Sequence, residues 1–248
     1  MCKVQSSLMV LALVAVTGVQ STEPPISDTR LTVHTLVRED IFAGFLDNNM
    51  DRFARGERNI DLLLEQRPSE KANLMAWRAG AALYRAVAAH EAGKSDEFTR
   101  QVQQARDEFA EAAKIGNGND GVPAITGGTL VILADRLPEQ HRAAAWTQAY
   151  DAYSILWKAQ GAAIDKFPVH FRGEVLAGMA QSAQRTGRAE EADQFVDRLL
   201  AMSGTPYEKL AKEWKANPAS ASTTNLTCKT CHNAGRLSAK LAAVAAVK

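Results

Sequence analysis

The chain has 248 residues, a formal net charge of +1, 46% hydrophobic residues and 23% charged residues. That length is ample for one compact body with a real core. The balance of 29 basic against 28 acidic residues gives no field to steer a polyanion. No basic cluster interleaves with aromatics, which excludes nucleic acid as a partner.

At the N-terminus, Lys3 precedes an uncharged apolar run from Leu8 to Val16. Val19-Gln20-Ser21 puts small residues where a signal peptidase cuts, and Thr22-Glu23-Pro24-Pro25 suits a mature N-terminus. The sequence therefore predicts a signal peptide over 1–21 and an exported, bacterial periplasmic product. The apolar run is too short to cross a bilayer, so no stable membrane span is expected after cleavage. An uncleaved N-terminal anchor is the alternative. Removal of the leader takes away Cys2 and leaves two of the three cysteines, Cys228 and Cys231. A structural disulfide elsewhere in the chain is then excluded.

The body, residues 22–216, is expected to be all-α. Alanine is abundant, alternating β-branched residues are scarce, and apolar residues recur at spacings of three and four. Ile41, Phe42, Phe45, Leu46 and Phe53 form one stripe, continued after a break at Gly56 by Ile60, Leu63 and Leu64. Leu74, Trp77, Ala81, Tyr84 and Val87 form the next, broken at Gly93. Phe98, Val102, Ala105, Phe109 and Ala112 follow. A helix is predicted from about Ala124 to Asp135, and Pro138 opens another that carries Trp146, Tyr150, Tyr153 and Trp157. Val175, Leu176, Met179 and Ala183 then precede a turn at Gly187, and Ala192, Phe195, Val196 and Leu199 come after it. The breaks at Gly56, Gly93, Pro138 and Gly187 recur at intervals typical of helical repeats. Gly116-Asn117-Gly118-Asn119-Asp120-Gly121 is too long for a standard turn. It lacks the ligand spacing and terminal glutamate of a calcium loop, and reads as a surface loop interrupting the middle hairpin. The stretch Ala177 to Pro206 resembles a tetratricopeptide repeat: Ala180 and Ala183 before the Gly187 turn, Ala192, Phe195 and Leu199 after it, and Pro206 at the end. Arg52 to Pro68 resembles half of one. This resemblance implies four helical hairpins, arranged as an α-solenoid or an irregular bundle.

Residues 217–224, Asn217-Pro218-Ala219-Ser220-Ala221-Ser222-Thr223-Thr224, are small, polar and aperiodic, and read as a linker. A final helix is predicted over 225–248, capped near Asn225 or Thr227 and carrying Leu237, Leu241 and Val244. It holds Cys228-Lys229-Thr230-Cys231-His232. This C-x-x-C-H sequence is the attachment motif of c-type haem. The spacing puts both thiols on one side of a helical turn, each able to form a thioether to a vinyl group. The adjacent histidine is placed to ligate the iron. One covalent haem c is therefore expected, bound by Cys228, Cys231 and His232, with His232 as proximal ligand. A thiol–disulfide pair is the competing chemistry, but it expects a βαβ context. A zinc site needs about four ligands, and a second pair near the tail is missing.

The tail resembles that of cytochromes c′, four-helix bundles with the haem on the last helix. Cys228, Lys229, Cys231, His232 and Arg236 match their pattern, and Gly235 stands where they carry an aromatic residue. The resemblance covers about ten residues and implies an iron on His232 with an open or hindered distal side. None of the sixteen residues after His232 is methionine or histidine, so a distal ligand is expected upstream. The candidates are Met50, Met75, Met179, Met202, His34, His90, His141 and His170. No nucleophile–base set, paired carboxylate or phosphate loop stands out, so the chain is not expected to be an enzyme. Three functions remain: electron transfer with a redox partner protein, small-gas binding or sensing, and an interaction scaffold.

Overall fold

The computed structural model describes residues 31–46 and 48–217. The expected signal peptide over 1–21, all but the first residue of the expected linker over 217–224, and the segment 225–248 with Cys228, Cys231 and His232 lie outside the described residues. Within them the chain is all-α, with no strand. Four helical hairpins follow one another: α1 (Val33–Leu46) with α2 (Met50–Gln66), α3 (Lys71–Glu91) with α4 (Ser95–Ile115), α5 (Gly121–Leu133) with α6 (Glu139–Gln160), and α7 (Val169–Arg185) with α8 (Ala189–Leu200). A ninth helix, α9 (Pro206–Ala216), packs on α8. The first helices of successive hairpins also touch: α1 on α3, α3 on α5, and α5 on α7. They form a continuous inner row, as expected when amphipathic hairpins bury their apolar faces by stacking. No helix among the described residues is long and apolar enough to cross a membrane.

The turns follow local chemistry. Gly93 and Gly187 join the two helices of their hairpins with φ of +70° and +79°, a conformation that costs glycine little. There the N–H of Lys94 bonds Ala89 O at 2.8 Å and that of Arg188 bonds Ala183 O at 2.8 Å, which satisfies carbonyls left over at each helix end. Pro138 precedes α6 as the periodicity predicts.

The expected break at Gly56 is corrected. Gly56 lies inside α2 and is buried. The first hairpin turns instead at Asn48, with φ +54°, and Asn49, whose side chain accepts from the Arg52 N–H at 3.0 Å. Gly56 is small because α1 crosses there: a Cβ would come within 2.9 Å of Ile41 Cδ1. Gly116–Gly121 does not interrupt a hairpin either. It joins α4 to α5, and so connects the second hairpin to the third.

α5 forms despite two adjacent glycines and a proline. Its sequence is poor in helix formers, but most of its residues are buried between α3, α6 and α7, and tertiary packing overrides propensity. α9 is an element that the stripe analysis passes over. Its cap is nevertheless written in the sequence: the Thr205 hydroxyl accepts from the Glu208 N–H at 3.3 Å, Pro206 occupies the first turn, and Glu208 reaches back to the Gly204 N–H at 2.8 Å.

Candidate functional site

The inner row gathers polar and aromatic side chains from all four hairpins into one cleft. α1 contributes His34, Arg38 and Phe42, α3 contributes Trp77, α5 contributes Ile125 and Ile132, α6 contributes Tyr153, and α7 contributes His170 and Glu174. The repeated hairpin explains the arrangement, since each first helix presents one turn to the same face.

Trp77 is the floor. It is 1% exposed, with Phe42 edge-on at a centroid distance of 5.2 Å and His34 tilted at 5.1 Å. Its indole Nε1 is buried and has no hydrogen-bond partner among the described residues. A buried indole N–H normally finds an acceptor. Arg38, one turn on from His34, is a buried cation with Nη1 3.3 Å from His34 Nε2. Arginine has only donors, so His34 accepts at Nε2 and carries its proton at Nδ1.

At the other end stands His170. The Tyr207 hydroxyl of α9 lies 3.2 Å from His170 Nδ1 and 3.2 Å from the His170 carbonyl oxygen. His170 Nε2 lies 3.4 Å from Glu174 Oε2. Tyr153 roots the cleft. Its ring is wedged between Gly127 of α5 and Gly178 of α7, where a Cβ on either glycine would overlap the ring.

The eight candidate distal ligands separate by position. Met75, Met179 and Met202 are core residues, the last two 1% and 4% exposed, and fill apolar gaps between helices. Met50 is exposed at the start of α2. His90 and His141 both lie against Phe98, with ring centroids 5.8 and 5.2 Å away, outside the cleft. Only His34 and His170 line it. Cys228, Cys231 and His232 lie outside the described residues. Among the described residues no group of three or more His, Cys, Asp or Glu is placed to hold a metal ion.

Arg38, Trp77, Tyr153, Glu174 and Tyr207 were not legible as site residues. Trp77 and Tyr153 sit on ordinary apolar stripes, Arg38 and Glu174 are single charged residues outside them, Tyr207 lies on α9, and only the packing of the helices brings them together.

As a seat for haem the cleft has suitable chemistry and little room. Imidazoles, a buried arginine and aromatic walls match an iron ligand, a propionate partner and a porphyrin face. Its free volume is about 40 Å³, far below the 300–1,000 Å³ of a pocket that encloses an organic ligand. It therefore cannot enclose a macrocycle.

Two other depressions are larger. One, of about 330 Å³, lies between α4, α5 and α6, with Phe109, Val122, Pro123, Ala152 and Ile155 as its walls and the 116–120 loop at its rim. It has the size for an organic ligand but carries no histidine, methionine or cysteine. The other is a charged groove between α2, α3 and α4, in which cations and anions pair with each other: Arg85 with Glu57, and Arg78 with Glu108 at 2.9 Å and Asp61 at 3.7 Å. The hydrogen bond from Arg85 to Glu57 raises the arginine further above its ordinary value. Burial pushes the Glu108 carboxyl up from the usual range, and Arg78 offsets this only in part.

No protein-family model matches the chain, and neither the curated proteins nor the solved structures include a significant match to it. Its function is therefore argued from its own residues.

Proposed function

We propose that the chain is an exported monohaem c-type cytochrome that transfers electrons. The observation that carries this reading is the pentapeptide Cys228-Lys229-Thr230-Cys231-His232, reinforced by a leader-like N-terminus of the kind that haem c attachment requires. The thiols of Cys228 and Cys231 would add across the two porphyrin vinyl groups, and His232 would hold the iron from the proximal side. The bound haem would supply a one-electron ferric–ferrous couple.

The helical body supports the reading in a separate way. The inner row offers imidazole, guanidinium and aromatic side chains on one face, a composition suited to the edge of an anionic, planar group. Stacked hairpins also provide an extended surface for a redox partner protein. The tetratricopeptide-like pattern of Ala177 to Pro206 agrees with such a docking role.

A second reading has its own observation. The cytochrome c′-like tail, with Arg236 four residues after His232 in the sequence, suits a five-coordinate iron that binds a small gas such as NO or CO. The test for haem is the same. The full chain, expressed with cytochrome c maturation machinery, gives a c-type pyridine haemochrome band that is lost in the Cys228→Ala/Cys231→Ala double variant. Absence of the band from the unaltered chain rejects both haem readings and leaves the repeats as an interaction scaffold.

A further inference from the structure

We propose that the depression between α4, α5 and α6 is a binding site for a small, neutral, mainly apolar organic molecule that carries one hydrogen-bonding group. The inference stands apart from the haem reading and uses none of its residues.

The space is built into the packing of the second helices of the hairpins. α4 and α6 touch near their starts, where the Phe98 and His141 ring centroids lie 5.2 Å apart, and then leave a gap. Arg106, Phe109, Ala110 and Ala113 line it from α4, and Gln148, Asp151, Ala152 and Ile155 line it from α6. Both sets follow the i, i+3, i+4, i+7 spacing of one helix face, so one face of each helix borders the gap. The next pair of second helices, α6 and α8, is closed by Trp157 against Phe195, with ring centroids 4.9 Å apart, and by the Tyr150 hydroxyl donating to Glu191 at 2.9 Å. Between α4 and α6, alanines stand at 110, 113 and 152 instead. The result is about 330 Å³ of free space, within the range of about 300–1,000 Å³ for small-molecule sites. Phe109, Val122, Pro123 and Ile155 make its walls apolar, and Ile155 is 59% exposed. A bound molecule would take that apolar surface out of water.

The second observation is Thr126. It lines the depression from α5 and is 8% exposed. Its hydroxyl makes no hydrogen bond among the described residues. Thr99 and Thr147 behave otherwise: their hydroxyls donate to the carbonyl four residues back, at 3.0 and 2.9 Å. A polar group this deep normally has a partner, so the Thr126 hydroxyl is the group that meets the polar atom of the ligand.

Charge decides against an ionic ligand. The charged residues of the lining are Arg106, Asp120 and Asp151. Arg106 and Asp151 have no ion pair among the described residues, and Asp120 accepts from Gln160. An anionic ligand would gain one cation and meet two carboxylates. A cationic ligand would meet Arg106, and ion pairs exposed to water contribute little in return. A neutral ring packs on Phe109 and meets neither cost.

The test uses the full chain and three compounds of one shape: 2-naphthol, its hydrocarbon parent naphthalene, and the anion 2-naphthoate. Isothermal titration calorimetry is expected to show one equivalent of 2-naphthol bound, with 2-naphthoate binding more weakly. Ala113→Trp, at an exposed position on the wall, fills the space and should abolish binding of all three, with far-UV circular dichroism unchanged. Thr126→Val keeps the shape and removes the hydroxyl. It should weaken 2-naphthol about threefold to tenfold, the worth of one hydrogen bond, and leave naphthalene unaffected, a difference that a general loss of structure would not produce. No binding of 2-naphthol by the unaltered chain at millimolar concentration, or binding that survives Ala113→Trp, overturns the site. Equal losses of 2-naphthol and naphthalene in Thr126→Val overturn the role of Thr126. Tighter binding of 2-naphthoate, lost in Arg106→Gln, overturns the neutral ligand and assigns the site to organic acids. A chain that sediments as a dimer and is dissociated by 2-naphthol overturns the inference in favour of a second copy.

Discussion

The hydroxyl of Tyr207 bridges two atoms of His170, its ring Nδ1 and its own carbonyl oxygen, each at 3.2 Å. The bridge ties α9 to the start of α7, and the Tyr207 ring lies on Gly173, one turn into α7, where a Cβ would overlap it. The ring contact requires a hydrogen at Gly173, and the hydroxyl contact requires a phenol at Tyr207. Tyr207→Phe keeps the ring and removes the hydrogen bonds, so a loss of about 1 kcal/mol is expected. Gly173→Ala forces the ring off its seat and is expected to cost more, about 1–3 kcal/mol. Urea denaturation of the two variants checks the order; a larger loss for Tyr207→Phe would reject it.

Tyr153 is held in the same manner by two glycines from different hairpins. Gly178→Ala is expected to lose about 1–3 kcal/mol by overpacking. If the ring is the cause, Gly178→Ala should cost far less in a Tyr153→Ala background. A double-mutant cycle reads this as a coupling well above the roughly 0.5 kcal/mol of independent sites. Additive effects would show that the glycine is needed for some other reason.

How much of this was legible follows from particular residues. The all-α class and three of the four hairpin breaks are local facts: Gly93, Pro138 and Gly187 end or begin helices through their own backbone preferences. Gly56 has the same composition signal and the opposite role. It is small because α1 presses on it, and nothing within a few residues of Gly56 reveals that contact. The true turn at Asn48-Asn49 carried its own signal, since asparagine tolerates the left-handed conformation and caps helices. α9 likewise announced itself through Thr205, Pro206 and Glu208. The cleft was not legible, because His34, Trp77 and His170 come from separate hairpins and meet only when the first helices stack. The proposed haem motif is the reverse case, a candidate site written entirely in five consecutive residues.

Asp40 ties α1 to α2 through two arginines. Its buried carboxylate lies 2.9 Å from Arg52 Nε through Oδ1, and Arg55 engages both oxygens, with Nη2 at 2.6 Å from Oδ1 and Nε at 2.9 Å from Oδ2. Asp40→Ala removes one anion from two cations. Breaking a fully buried pair costs about 3–5 kcal/mol, but both guanidiniums here reach solvent, so about 2–3 kcal/mol is expected. Thermal unfolding of Asp40→Ala against Asp40→Asn measures it. Asparagine can still accept from one arginine and should recover part of the loss; equal losses would show that the hydrogen bonds contribute nothing.

Glu108 makes stability depend on pH in the direction opposite to a well-paired carboxylate. Its Oε1 lies 2.9 Å from Arg78 Nε and accepts from Gln104 Nε2 at 3.3 Å, yet Glu108 Oε2 is buried without a partner among the described residues. Burial therefore outweighs attraction, and the carboxyl titrates above its ordinary range in the folded state. At a pH below that range both states are protonated, and the group costs nothing. As pH rises through about 4.3 the unfolded chain ionises first. From there until the folded carboxyl also ionises, the folded state binds more protons, so stability falls with rising pH. Glu108→Gln keeps the shape and cannot ionise. It should be more stable than the unaltered protein at neutral pH, with the advantage shrinking as pH drops below the ordinary glutamate range. Urea midpoints from pH 3.5 to 7.5 test this. A variant less stable at neutral pH, with the deficit closing under acid, would show that the ion pair with Arg78 outweighs burial after all.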